Sequence, residues 1–247
     1  MIEKKEIQVN GLKVVYRIKG EGKPLLILHG WGVSSKLWEK IMEGITNRKV
    51  ICPDIPGFGE SDTPKEAWNV SSYASWVKLF VDEVGLDYFD VIAHSFGGRI
   101  MIKFLQNNQS MVNKLILHGP AGIKTKLNIK QKIIKNGSNI SPKFIKVAVK
   151  KVLDPLLKDK DYSKAQGIMK EIMRNIIEED LFPYLKNIHN DTLLIWGEND
   201  NFVSLEQARM FESEIDRSKL VIISEAGHSA FRTHSDKFLK IILSFLN

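Results

Sequence analysis

One pattern recurs along most of this chain: a short, nearly continuous apolar run ends in a small polar motif, and a longer stretch with helical spacing follows. "PLLILHG" (24–30) ends at "HGWG", "KVICPDIP" (49–56) ends in a Gly-rich loop, and "YFDVIAHS" (88–95) ends at Ser95. "VNKLILHG" (112–119) ends at "GPAG", "DTLLIWG" (191–197) at "END" and "SKLVIIS" (218–224) at "EAGH". A strand apolar at every position needs cover on both faces, which an isolated hairpin or a half-exposed sheet cannot supply. The intervening stretches carry that cover: "SSKLWEKIMEGI", "SSYASWVKLFVDEV", "FGGRIMIKFLQNN", "SLEQARMFESEI" and "SDKFLKIILSFL" place apolar residues at helical intervals. The alternation implies an α/β fold: a mainly parallel central sheet, right-handed crossovers and helices on both faces. The N-terminus differs. "EIQVN", Gly11 and "LKVVYRI" read as a β-hairpin about an Asn-Gly turn.

The alternation breaks once, and the break sets the expected domains: a core from residues 1–122 and 188–247, and a helical cap, or lid, over 123–187. Between Lys124 and Lys170 lie thirteen lysines and three aspartates, a local charge of +10, more than the +7 of all 247 residues. Such a patch would steer an acidic partner, or is simply a solvated surface. The hydrophobic share of 43% and charged share of 26% are ordinary for a globular protein. "MIEKKEIQV" lacks the apolar block of a secretory leader and no run is long enough to span a bilayer, so a cytoplasmic protein is expected. The single Cys52 has no disulfide partner and reads as an apolar core residue. No metal-ligand cluster and no Gly-rich phosphate loop with lysine appears, so neither metal nor cofactor is expected, and nucleic acid is not an expected partner.

In sheets of this kind ligands collect at the carboxyl ends of the strands, where every short polar motif falls. Ser95 stands out there. Ala93-His94-Ser95-Phe96-Gly97-Gly98 puts small residues two positions before and after the serine at a strand-to-helix turn, the arrangement that projects a hydroxyl nucleophile. The same turn aims the backbone N–H of Phe96 from a helix start, where an oxyanion would be stabilised, and Trp31 in "HGWG" is assigned the second donor.

With these motifs the chain resembles the α/β-hydrolase fold enzymes over nearly all its length except the cap. That family orders its triad as nucleophile, acid, histidine. The resemblance implies Ser95, Asp200 in "WGENDNFV" and His228 in "EAGHSAF", with Glu198 as a competitor for the acid. His29 and His94 flank the donors and the nucleophile, and His118 ends the next strand; all three are candidates for substrate contact as well as for packing. Arg99 reads as a salt-bridging scaffold residue, and "DIPGFGESD" (54–62) as support for the site.

A serine at the elbow argues against the branches that need an aspartate nucleophile, haloalkane dehalogenases and epoxide hydrolases, and points to esters or thioesters. "HGWG", "LWEKI", "DIPGFGES" and "GHSAFRTH" are similar to esterases that cleave the methyl ester of pimeloyl attached to acyl carrier protein. On that reading the Lys-rich cap would grip the acidic carrier. The Lys-rich stretch 124–170 has no arginine, where that branch relies on arginines, and Ala93 stands where the branch has glycine. Three alternatives share the fold. Carbon–carbon bond hydrolases usually have Trp where Ser229 stands, a menaquinone-pathway lyase has an arginine at the Arg99 position, and a non-catalytic receptor would carry a broken triad.

Overall fold

The computed structural model describes residues 1–123 and 167–247. The Lys-rich segment 124–166, and with it most of the expected cap, lies outside the described residues. The chain opens with strands β1 (Glu3–Val9) and β2 (Leu12–Lys19), paired antiparallel. Asn10 and Gly11 join them with φ of 49° and 74°, the doubly left-handed turn that matches the twist of a tight hairpin.

Strands β3 (Lys23–Leu28), β4 (Arg48–Pro53), β5 (Phe89–His94), β6 (Val112–His118), β7 (Asp191–Gly197) and β8 (Ser218–Ile223) follow. Together they form one eight-stranded sheet of order β1-β2-β4-β3-β5-β6-β7-β8. From β4 onward the pairings are all parallel, and β2 joins β4 antiparallel. Among the described residues the helices are α1 (Glu39–Gly44), α2 (Val70–Glu83), α3 (Phe96–Asn108), α4 (Ile168–Glu178), α5 (Phe182–Leu185), α6 (Leu205–Glu214), α7 (Ala230–Thr233) and α8 (Ser235–Leu246). A 3₁₀ turn, Ser35–Trp38, precedes α1 where the sequence suggests one unbroken helix.

Strand alternation explains the continuous apolar runs. Leu26, Leu28, Val91, Ala93, Leu115, Leu117 and Leu194 face one layer with Phe80 of α2, Ile100 and Phe104 of α3 and Phe211 of α6. Leu25, Ile27, Val50, Cys52, Ile92, Ile116 and Ile195 face the other, with Trp38, Met42 of α1, and Phe238 and Ile242 of α8. Both faces of the central strands are covered, so apolar residues fill both parities, and the buried polar exceptions such as Asp90 and Arg48 pair with each other (2.6 Å). Cys52 is buried within the second layer, as the reading of a packed apolar residue requires. β8 stands at the edge of the sheet formed by the described residues and is only partly buried despite its apolar sequence.

Among the described residues no helix is long and apolar enough to cross a membrane.

Candidate active site

Helix α3 begins immediately after β5, and the junction is Ser95, with φ 51° and ψ −108°. A non-glycine residue there carries strain of about 1–3 kcal/mol. The surroundings hold it: Ser95 N–H donates to the His118 carbonyl of β6 (3.0 Å), and the Ser95 carbonyl accepts from Arg99 N (3.2 Å). The two glycines that follow answer to close approach. A Cβ on Gly97 would lie 2.4 Å from the Leu28 carbonyl oxygen, and one on Gly98 would lie 2.7 Å from Pro120 Cβ. Helix α3 therefore starts tight against the end of β3, and Gly97 N–H donates to His29 O (3.1 Å) across that contact.

Two other strand ends complete the site. The loop after β7 carries Asp200, and the loop after β8 carries His228. They touch because Gly197 has no side chain: a Cβ there would meet Gly227 O at 2.3 Å. His228 Nδ1 lies 2.8 Å from Asp200 Oδ2, and its Nε2 lies 2.9 Å from Ser95 Oγ. The Asp200 side chain is fully buried, and its Oδ1 accepts from the N–H groups of Phe202 (2.8 Å) and Val203 (3.0 Å). An ionised carboxylate only accepts, so Nδ1 of His228 carries the ring proton and Nε2 turns its lone pair toward the serine hydroxyl. Glu198, the rival acid, is exposed and accepts instead from the Glu225 N–H (3.0 Å).

Phe96 N–H is the first amide of α3, without an intrahelical acceptor. Trp31 sits beside it, their rings 5.3 Å apart, and the loop carrying Trp31 touches the serine: a Cβ on Gly30 would lie 3.4 Å from Ser95 Cβ. The two amides assigned as oxyanion donors thus belong to adjoining segments beside the hydroxyl. That loop is itself fastened by the "DIPGFGESD" segment. Asp54 accepts from both the N–H and the hydroxyl of Ser35 and from Glu60 N (2.8 Å), while Ile55 N–H donates to His29 Nε2 (2.9 Å).

The three candidate substrate histidines part company. His94 lines the cavity. His29 and His118 do not: both are fully buried. His29 Nδ1–H donates to Gly30 O (2.7 Å) and His118 Nδ1–H to Ile195 O (3.2 Å), so these two rings brace loops and strands rather than face a ligand. Burial pushes the His29 imidazole below its ordinary range and His118 down to about 4, which leaves both neutral at pH 7.

Above Ser95 lies a cavity of about 200 Å³. Its walls are mostly apolar: Trp31 and Leu37 on one side, Met173, Ile176 and Ile177 of α4 on another, and Phe202 and Phe231 near His228. None of these wall residues except Trp31 was singled out from sequence; the amphipathic pattern of α4 was the one available signal for Met173 and Ile176. Arg99 also reaches the cavity, and it braces the scaffold through backbone carbonyls. Its Nη2 donates to the carbonyls of Ile176 and Glu179 (2.8 Å to the latter), capping the end of α4. Burial lowers its pKa to about 10, against the pull of Glu179 and Asp180, and the guanidinium stays charged at neutral pH. One turn on, Lys103 pairs with Glu179 (2.7 Å), so α3 holds the C-terminal end of α4 at two points.

A sheet of this order, with a strained serine between strand and helix and partners on two later strand ends, is the α/β-hydrolase fold. The sequence profile described as alpha/beta hydrolase fold matches residues 23–142. Among individual relatives, a 2-hydroxy-6-oxononadienedioate/2-hydroxy-6-oxononatrienedioate hydrolase of Pseudomonas putida is 28% identical, covering 95% of this chain and 92% of its own. An esterase from Exiguobacterium antarcticum superposes with a TM-score of 0.78 at 25% identity, covering 97% of this chain and 98% of its own. A bromoperoxidase from Bacillus anthracis superposes at 0.81 with 20% identity, covering 99% of each chain, a likeness of fold alone. Different chemistries thus occupy one scaffold, and the site must decide among them.

Proposed function

We propose that the protein is a serine hydrolase that cleaves a carboxylic ester or thioester through an acyl-enzyme on Ser95. The observation that carries the reading is the linear relay Asp200–His228–Ser95, with contacts of 2.8 and 2.9 Å. In this mechanism the Ser95 hydroxyl attacks the acyl carbon as its proton passes to His228 Nε2. Asp200 stabilises the imidazolium, and the N–H groups of Phe96 and Trp31 receive the developing oxyanion. The imidazolium then protonates the leaving alcohol or thiol, and a water activated by the same ring releases the acid. The apolar walls of the cavity suit an acyl chain.

Ser95→Ala should lower turnover of a short p-nitrophenyl ester by at least about 10³-fold while leaving the fold unchanged. A fluorophosphonate probe should add to Ser95 in the wild type, detected by peptide mass spectrometry. Wild-type turnover in the alanine variant would overturn the proposal.

Hydrolysis of a carbon–carbon bond is the second reading, supported by the printed activity of the 28% identical Pseudomonas relative. It uses the same three residues. Turnover of a 2-hydroxy-6-oxo-dienoate in excess of any ester in a matched panel would favour it.

An acidic acyl carrier protein as the substrate's bearer is a further part of the proposal. It rests on the thirteen lysines of 124–170, of which only Lys170 is among the described residues, and on the motif resemblance. Restoration of biotin synthesis in cells lacking their own pimeloyl esterase would support it, and failure despite good expression would count against it.

A further inference from the structure

His94 directly precedes the serine and is 4% exposed. Its ring lies among aromatic neighbours on several elements: His118 of β6 at 4.8 Å between centroids, His228 at 4.8 Å, Phe231 of α7 at 5.1 Å and Trp38 at 6.2 Å. Trp38 and Phe231 are themselves stacked, 4.1 Å apart and 2° from parallel, so two walls of the box around the imidazole pack against each other. Its Nε2 is 3.0 Å from the backbone carbonyl oxygen of His228. A carbonyl can only accept, so Nε2 bears the hydrogen, and the neutral ring has a defined tautomer. Burial, with His118 and His228 nearby, holds its pKa well below the ordinary histidine range. Among the described residues its Nδ1 has no partner, and the glycine at position 30 is what leaves room for it: a Cβ there would sit 2.9 Å away.

The relay described above requires His228 to aim two ring nitrogens at once, at partners on different loops. Its side-chain bonds fix the ring only if the backbone from which it projects is fixed too. We propose that His94 is a positioning residue: by donating from Nε2 to the carbonyl of His228, it ties the histidine-bearing loop to the serine-bearing strand end and sets the ring between Asp200 and Ser95. One hydrogen bond thereby joins residues 94 and 228, the immediate neighbour of the nucleophile and the base itself. The inference rests on the Ser95–His228–Asp200 reading and adds to it a residue that acts through the backbone of the base.

The test compares His94→Gln, whose amide places an N–H donor near the former Nε2, with His94→Leu, which keeps bulk and loses the donor. Misplacing a catalytic group by about 1 Å can cost about 10²-fold in rate. With a p-nitrophenyl ester, H94L should lose about 10- to 100-fold in kcat with KM changed less than about twofold, and H94Q should recover most of the loss. A second readout needs no substrate. In the wild type the His228 Nδ1 proton, shared with Asp200, should give a far-downfield proton resonance that persists in H94Q and broadens or vanishes in H94L. If H94L does not fold, judged by circular dichroism, His94→Met takes its place as the donor-free variant. The proposal is overturned if the donor-free variant keeps wild-type kcat and the resonance, or if H94Q is as impaired as the donor-free variant although both are folded. Failure of the ester hydrolase reading itself would appear separately, as a wild type that neither turns over esters nor reacts with the fluorophosphonate, and would leave the resonance comparison in force.

Discussion

Asp200 divides its carboxylate between two tasks. One oxygen is held by two backbone amides of its own loop, and the other is left for His228. Asp200→Asn tests whether charge and tautomer matter beyond shape. The amide oxygen would keep the Phe202 and Val203 N–H groups, which turns the NH₂ toward His228 Nδ1 and forces the ring proton onto Nε2. The serine would then face a donor in place of a base. On the proposed mechanism kcat should fall by about 10⁴-fold with the melting temperature little changed. A loss below tenfold would show that the aspartate only fills space. The same scale explains Glu198: two residues earlier, it emerges on the exposed side of the loop, where it caps the Glu225 amide.

Among the elements, the start of α3 is the most demanding junction, because the oxyanion amide, the serine and the end of β3 converge there. Gly97 is the limiting position. Gly97→Ala would push a methyl against the Leu28 and His29 carbonyls, 2.4 and 2.8 Å from the ideal Cβ, and backbone atoms cannot rotate aside as a side chain would. The helix must shift instead, and overpacking of this kind costs about 1–3 kcal/mol. Thermal unfolding should register the loss, and activity should fall further than stability because Phe96 N–H moves with the helix. Retention of full activity would mean that the amide's placement is not critical. At its other turns α3 grips α4 through Arg99 and Lys103, which sets Met173 and Ile176 as cavity walls.

The whole molecule stores three imidazoles that burial keeps neutral: His29, His94 and His118. Each has its folded pKa below the unfolded value. Above about pH 6.5 both states are neutral and these groups contribute no pH dependence. Between the unfolded value near 6.5 and the folded value of about 4 for His118, the unfolded chain binds the proton and the folded one does not, so stability declines as pH falls. For His118 alone the decline across that window is about 3 kcal/mol. Urea titrations from pH 7.5 to 4.5 should show unfolding free energy flat above about 6.5 and falling below it, and His118→Phe should flatten the slope. An unchanged slope in that variant would place the acid sensitivity elsewhere.

The architecture was legible because hydrophobic periodicity is a local property of the chain. Continuous runs such as "PLLILHG" could be satisfied only between two layers, and Asn10-Gly11 only by a tight hairpin turn. Ser95 was legible for a similar reason, since small residues around a strand-to-helix serine report a steric demand of the backbone itself. Asp200 and His228 came through family resemblance, because nothing local ties residues more than a hundred positions from the serine to it. Tertiary structure alone decided that His29 and His118 brace the scaffold while His94 reaches the base, and that Arg99 caps α4 through backbone carbonyls. A hydrogen bond depends on where two distant segments meet to within a few tenths of an ångström, whereas burial depends only on which side of an element a residue faces. The first is a property of the folded chain, and the second is already written in the order of its residues.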